Sequence, residues 1–187
     1  QLVVASNSND ILTRWLQSGV MEAHGVHPTL SPSMDIQVSS NAERLLFELY
    51  DRNAAVLADR MSELRAEGRV ETGDTRLATV TEVFDGHGVD DDATRAEIRR
   101  TYERTGVVLD PHTAVGVAAA RAVRRDPDTP MICLATAHPA KFPDAVEQSI
   151  GLRPELPEHL ADLLDRPERF DSLPLDQAAL QDYVAAA

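Results

Sequence analysis

The stretch GVVLDPHTAVGVAAARAVRR, residues 106–125, constrains the fold more than any other part of the chain. Val107 to Leu109 reads as a short apolar strand, and Asp110 stands where an N-cap belongs. Pro111 follows at the first helical position, where a missing N–H costs nothing. The helix it opens is small and apolar nearly all round, so it must be covered by a sheet. MICLAT (131–136) repeats the theme as a strand, and Pro143 opens the helix after it. QLVVAS at the start reads as a third strand, followed by the turn NSND and a helix, ILTRWLQSG, that Gly19 ends. Strands alternating with helices predict an α/β fold with three layers, a mostly parallel sheet flanked by helices.

Between these units the pattern is less regular. Residues 20–40 carry scattered Gly, Pro and Ser and read as an irregular loop. Ser40 and Glu43 have the spacing of a capping box ahead of Leu45, Leu46 and Leu49. A helix over roughly 54–67 has Leu57, Met61 and Leu64 on one face and Gly68 as its stop. LATVTEVF (77–84) reads as a strand, and DGHGVDDDATRAEI as a loop running into a helix led by acidic residues. The last ~35 residues hold two amphipathic helical patterns, Leu156/Leu160/Leu163/Leu164 and Ala179/Leu180/Tyr183/Val184. The expected division is an α/β portion over 1–150 and a helical extension over 151–187.

Composition excludes several classes. The chain has 187 residues, 43% of them hydrophobic, enough for one domain with a real core. Acidic residues outnumber basic ones 31 to 18, and the formal charge is -13. A phosphate backbone or an anionic bilayer surface would be repelled, so neither nucleic acid nor membrane is an expected partner. No apolar run approaches the roughly 20 residues of a membrane span. One cysteine, Cys133, allows no internal disulfide and fits a reducing compartment, so a cytoplasmic location is expected. The opening directly on an apolar run, without a methionine, reads as a portion of something longer.

Ligands in open parallel sheets bind beyond the carboxyl ends of the strands. Three segments present small polar groups there: ASNSND, DPHTAVG and ATAHPAKF. Lys141, the only lysine, could form a Schiff base only if desolvated, and its polar turn favours a surface or anion-binding role. His112 and Thr113 sit at a helix N-terminus, which can serve an anion or simply be capped. His24 and His27 match no zinc spacing, and no metal site is expected. Cys133 with His138 could suggest a nucleophile and base, but a cysteine inside an apolar strand is expected to be an inert buried thiol. From the residues alone, the chain offers the rim of a ligand site and no complete catalytic machinery.

TLSPSMDIQVSSNAERLLFEL (29–49), VVLDPHTAVGVAAA (107–120) and LATAHPAKFPDAV (134–146) resemble threonine synthase in its bacterial and fungal branch, as does the opening VVASNSNDIL. The resemblance implies part of a fold type II pyridoxal-phosphate enzyme that converts O-phospho-L-homoserine and water to L-threonine and phosphate. It implies that the Schiff-base lysine and the loop cradling the cofactor phosphate lie upstream. No catalytic lysine is therefore expected in this chain, and the N-terminal portion of the same enzyme is an expected partner. Thr136 matches the hydroxyl set against the pyridine nitrogen, and Asn7 a position near the cofactor. Arg44, Ser31, Ser33, Asn41 and Lys141 become candidates for binding the substrate. Ala42 departs from the family pattern, where an aromatic is expected. If the parent sheet is shared between the two portions, the chain alone has an exposed edge prone to self-association. A serine or threonine dehydratase, or a noncatalytic α/β ligand-binding or assembly module, stays open as an alternative.

Overall fold

The computed structural model describes residues 1–186. Two compact units are separable, Gln1–Pro154 and a small one from Glu155 onward. The larger is built on a parallel pair, β1 (Leu2–Ser6) and β4 (Phe84–Gly88), in register from Leu2 opposite Phe84 to Ser6 opposite Gly88. Between them in sequence lie α1 (Ile11–Ser18), β2 (Val20–Glu22), α2 (Glu43–Leu49), α3 (Ala54–Glu67), β3 (Arg69–Glu71) and α4 (Asp74–Thr81). β2 and β3 form a separate antiparallel pair. Then come α5 (Asp91–Thr105), α6 (Pro111–Val123) and α7 (Pro143–Ile150).

Three layers follow from the alternation of β1. Successive side chains of a strand point to opposite faces. Val4 packs against the core of Ile11, Trp15, Leu16, Leu46, Tyr50, Met61 and Leu64, whereas Val3 and Ala5 pack against Val115 and Ala119 of α6. The sheet is thus covered by α1 on one side and α6 on the other. Trp15, 2% exposed, anchors the larger core and satisfies its indole N–H on the Thr72 hydroxyl at 2.7 Å. α5 holds α6 and α7 together: Glu97 accepts from Arg121 Nε at 2.9 Å, and Arg99 Nε donates to the Ser149 carbonyl at 3.0 Å.

Several local expectations are corrected. Residues 77–81 are helical, not a strand. Thr79 and Thr81 turn their hydroxyls onto the carbonyls of Thr75 and Leu77, and Val80 is buried in the core. The strand lies just beyond, in FDGHG, a segment whose two glycines suggested a loop. Gly86 is required there: a Cβ would meet the Thr13 Cα at 2.9 Å, where α1 crosses β4. Gly86→Ala is expected to force the two backbones apart and destabilise the protein by about 1–3 kcal/mol. A lowered urea midpoint at unchanged m-value would show it. β2 lies inside what reads as loop, and Ser40 starts a 3-10 turn without a side-chain cap before α2 begins at Glu43.

Residues 107–109 and 131–136, expected as strands, form no strand and join neither sheet. Each would need a neighbouring strand for its N–H and C=O groups, and none pairs with them among the described residues. Ile132 and Leu134 are consequently 83% and 77% exposed, and Cys133 is exposed rather than buried. In the smaller unit the first leucine pattern forms two 3-10 turns, Glu158–Leu160 and Leu163–Asp165, flanked by Pro157 and Pro167. The second forms α8 (Gln177–Ala186).

Candidate functional site

A cleft of about 670 Å³ runs along β1 and the first turn of α6. Its lining includes Val3 and Ala5 of β1, Ser33 and Met34, His112 and Thr136, and the unpaired segment Met131–Leu134. The N-terminus of α6 organises its polar end. Asp110, 1% exposed, accepts from the backbone N–H groups of His112 (2.9 Å) and Thr113 (3.4 Å), as an N-cap should. The same carboxylate faces His112 Nδ1 at 3.0 Å and accepts from the Thr113 hydroxyl. His112 Nε2 accepts the backbone N–H of Ser33 at 3.1 Å, and Thr113 Oγ1 accepts that of Thr136 at 3.1 Å. The helix end is capped by its own aspartate, which decides against an anion site on those N–H groups.

Thr136 and Ser33, expected on cofactor and substrate respectively, are therefore brought to one cleft. Their backbones are held, and among the described residues neither hydroxyl has a hydrogen-bond partner. Thr136 follows a segment that forms no strand, so it does not stand at a strand end.

Asn7 and Ser31 belong to a different arrangement. Both are 1% exposed. Asn7 Nδ2 lies 2.8 Å from Thr29 Oγ1, 2.8 Å from Asp35 Oδ1 and 3.0 Å from Ser31 Oγ, while its Oδ1 accepts from Asn9 N at 2.8 Å. An amide with two hydrogens has nothing left for an outside group. Asn9 continues the network to Asp35 and to the carbonyl of His27, and Thr29 donates to both Asp35 oxygens. The result ties the loop of residues 27–37 to the carboxyl end of β1. Asp35, Asn9 and Thr29 were not singled out in the sequence, where Asn9 reads as part of a polar turn and the other two as part of an irregular loop.

Arg44 and Asn41 do not line the cleft. Arg44 is exposed on α2 and, among the described residues, makes no ion pair. Asn41 is exposed in the turn before α2. Lys141 stands exposed in the turn Pro139–Lys141, its ammonium 5.7 Å from the centre of the Phe142 ring. Two free cations are thus available to an anion. No cluster of metal-ligating side chains occurs among the described residues, and no helix there is long and apolar enough to cross a membrane.

The fold is that of known enzymes. A pyridoxal-phosphate-bound threonine synthase from Brucella melitensis superposes with a TM-score of 0.88 at 44% identity, covering 100% of this chain and 40% of that one. The yeast threonine synthase does so with a TM-score of 0.84 at 33% identity, over 99% of this chain and 41% of that one. These place the chain in the fold type II class of α/β enzymes. Residues 113–184 match the family described as threonine synthase, C-terminal. The threonine synthase of Pseudomonas aeruginosa is 47% identical over 186 residues, 99% of this chain and 40% of that protein. Over nearly its whole length the chain is similar to threonine synthases, and it spans about 40% of the length of the relatives it matches.

Proposed function

We propose that this chain is the part of a cytoplasmic pyridoxal-phosphate-dependent lyase that meets the pyridine nitrogen, in an enzyme converting O-phospho-L-homoserine and water to L-threonine and phosphate. The observation that carries the reading is the pairing of Thr136 and Ser33 at one cleft, backbones fixed and hydroxyls free. It is supported by the identity to threonine synthases over nearly the whole chain. The remaining length seen in the relatives supplies the lysine that binds the cofactor, and it covers the unpaired strand segments.

The residues present fit that cofactor. Bound there, it supplies an electron-withdrawing ring that takes up charge from the substrate α-carbon. The Thr136 hydroxyl, neutral and without a partner of its own, would be the group set against the ring nitrogen and would leave it closer to pyridine than a carboxylate would. Ser33 donates to the substrate, and the cations of Arg44 and Lys141, outside the cleft lining, draw in the phosphate that departs from the γ-carbon; Asn41 adds a donor in the turn before α2. Asn7 and Ser31 act through the loop: they fix Ser33 and do not touch the ligands.

The test is product analysis on the longer protein that carries this chain. Threonine and phosphate in equal amounts are expected from O-phospho-L-homoserine. Thr136→Ala is expected to lower kcat by about 10–100-fold and Thr136→Ser to restore most of it, the size expected when one buried hydrogen bond is lost. A 2-oxo acid from serine or threonine, with no phosphate release from O-phospho-L-homoserine, would replace this reading with a dehydratase.

A further inference from the structure

Resting on the roles just given to Ser33 and Thr136, we propose that Asp110, His112 and Thr113 form a two-armed brace that positions both, with His112 held as a neutral imidazole protonated on Nδ1. The direction of every hydrogen bond follows from donor and acceptor chemistry. A backbone N–H only donates, so Ser33 requires a lone pair on His112 Nε2. The ring proton must then sit on Nδ1, which faces the Asp110 carboxylate at 3.0 Å. The Thr113 hydroxyl gives its proton to the other oxygen of Asp110, and so presents a lone pair to the Thr136 N–H. One buried carboxylate thereby sets the sense of two hydrogen bonds to segments 79 and 23 residues away from the helix end. Phe142, its ring centre 4.5 Å from that of His112 and tilted by 51°, keeps the imidazole from turning.

The arms hold different partners, so they should fail differently. His112→Phe keeps the packing on Phe142 but removes the acceptor for Ser33. It should raise KM for O-phospho-L-homoserine about tenfold with kcat little changed, the scale of one lost hydrogen bond. His112→Gln, which can return an acceptor to that position, should recover most of the loss. Thr113→Val frees Thr136 and should lower kcat about tenfold and shift the cofactor absorption band, with Thr113→Ser restoring both. A residue that only stabilised the fold would show neither the split nor the rescue.

The decisive measurement is ¹⁵N NMR of the full-length enzyme carrying labelled histidine, with the His112 signal identified by its loss in His112→Phe. A neutral ring protonated on Nδ1, with slow exchange of the Ser33 and Thr136 amides, is the expected result. A proton on Nε2 at neutral pH would overturn the brace, as would His112→Phe and Thr113→Val changing KM and kcat in the same proportion. If the wild-type enzyme does not turn over O-phospho-L-homoserine, the functional reading fails. The ring proton and the two amides then still decide the brace by themselves.

Discussion

Asn7→Leu is expected to lower the unfolding free energy by about 3–5 kcal/mol, because it keeps the branching of the side chain but removes every hydrogen bond it makes. Leucine branches at Cγ as asparagine does but is bulkier and not planar, so some overpacking adds to the lost hydrogen bonds. The Asn7 amide can serve two acceptors at once among Thr29, Ser31 and Asp35, and its oxygen holds the N–H of Asn9. Each buried group left without a partner costs roughly 1–3 kcal/mol, more where a carboxylate is concerned. Asp35 keeps Thr29 and Asn9, which limits the damage. Urea unfolding gives the free energy, and proteolysis under native conditions should cut first within residues 27–37. A variant as stable as the parent, with that loop still protected, would show the network to be ornamental to the fold.

That network also shows where sequence reading stops. Local features were legible because their physics is local. Asp110 caps α6, Pro111 begins it, and Gly19 and Gly68 end α1 and α3 in the left-handed conformation that glycine permits. β4 was illegible because FDGHG is glycine-rich for the sake of Thr13, a neighbour 73 positions earlier that brings its backbone against Gly86. The partners of Asn7 lie 22 to 28 residues on, and the Ser33 amide meets His112 across 79. Nothing in residues 110–113 taken alone separates a cap from a brace. Thr136 and Ser33 were named through family resemblance; only the fold brings them to the same cleft.

The segment MICLAT carries the other large expected effect. It has the composition of a buried strand, yet among the described residues it finds no ladder partner, and Ile132 and Leu134 are exposed. If the remaining portion of the enzyme pairs with it, Ile132→Glu should act in opposite directions in two settings. In the 187-residue chain by itself the glutamate stays in water, costs almost nothing in stability and breaks an apolar patch. Sedimentation should then show less self-association than in the parent chain. In the full-length enzyme the same carboxylate would enter a sheet interior, where an unpaired charge costs several kcal/mol or forces local opening. A melting temperature lower by about 5–10 °C, or loss of soluble protein, is expected there. Ser and Thr at the same position should fall between, following burial and not charge alone. A full-length Ile132→Glu enzyme as stable as its parent would mean that residues 131–134 stay outside the sheet. Thr136, two residues beyond Leu134, would then lack the strand that the cofactor-facing role requires to hold it in place.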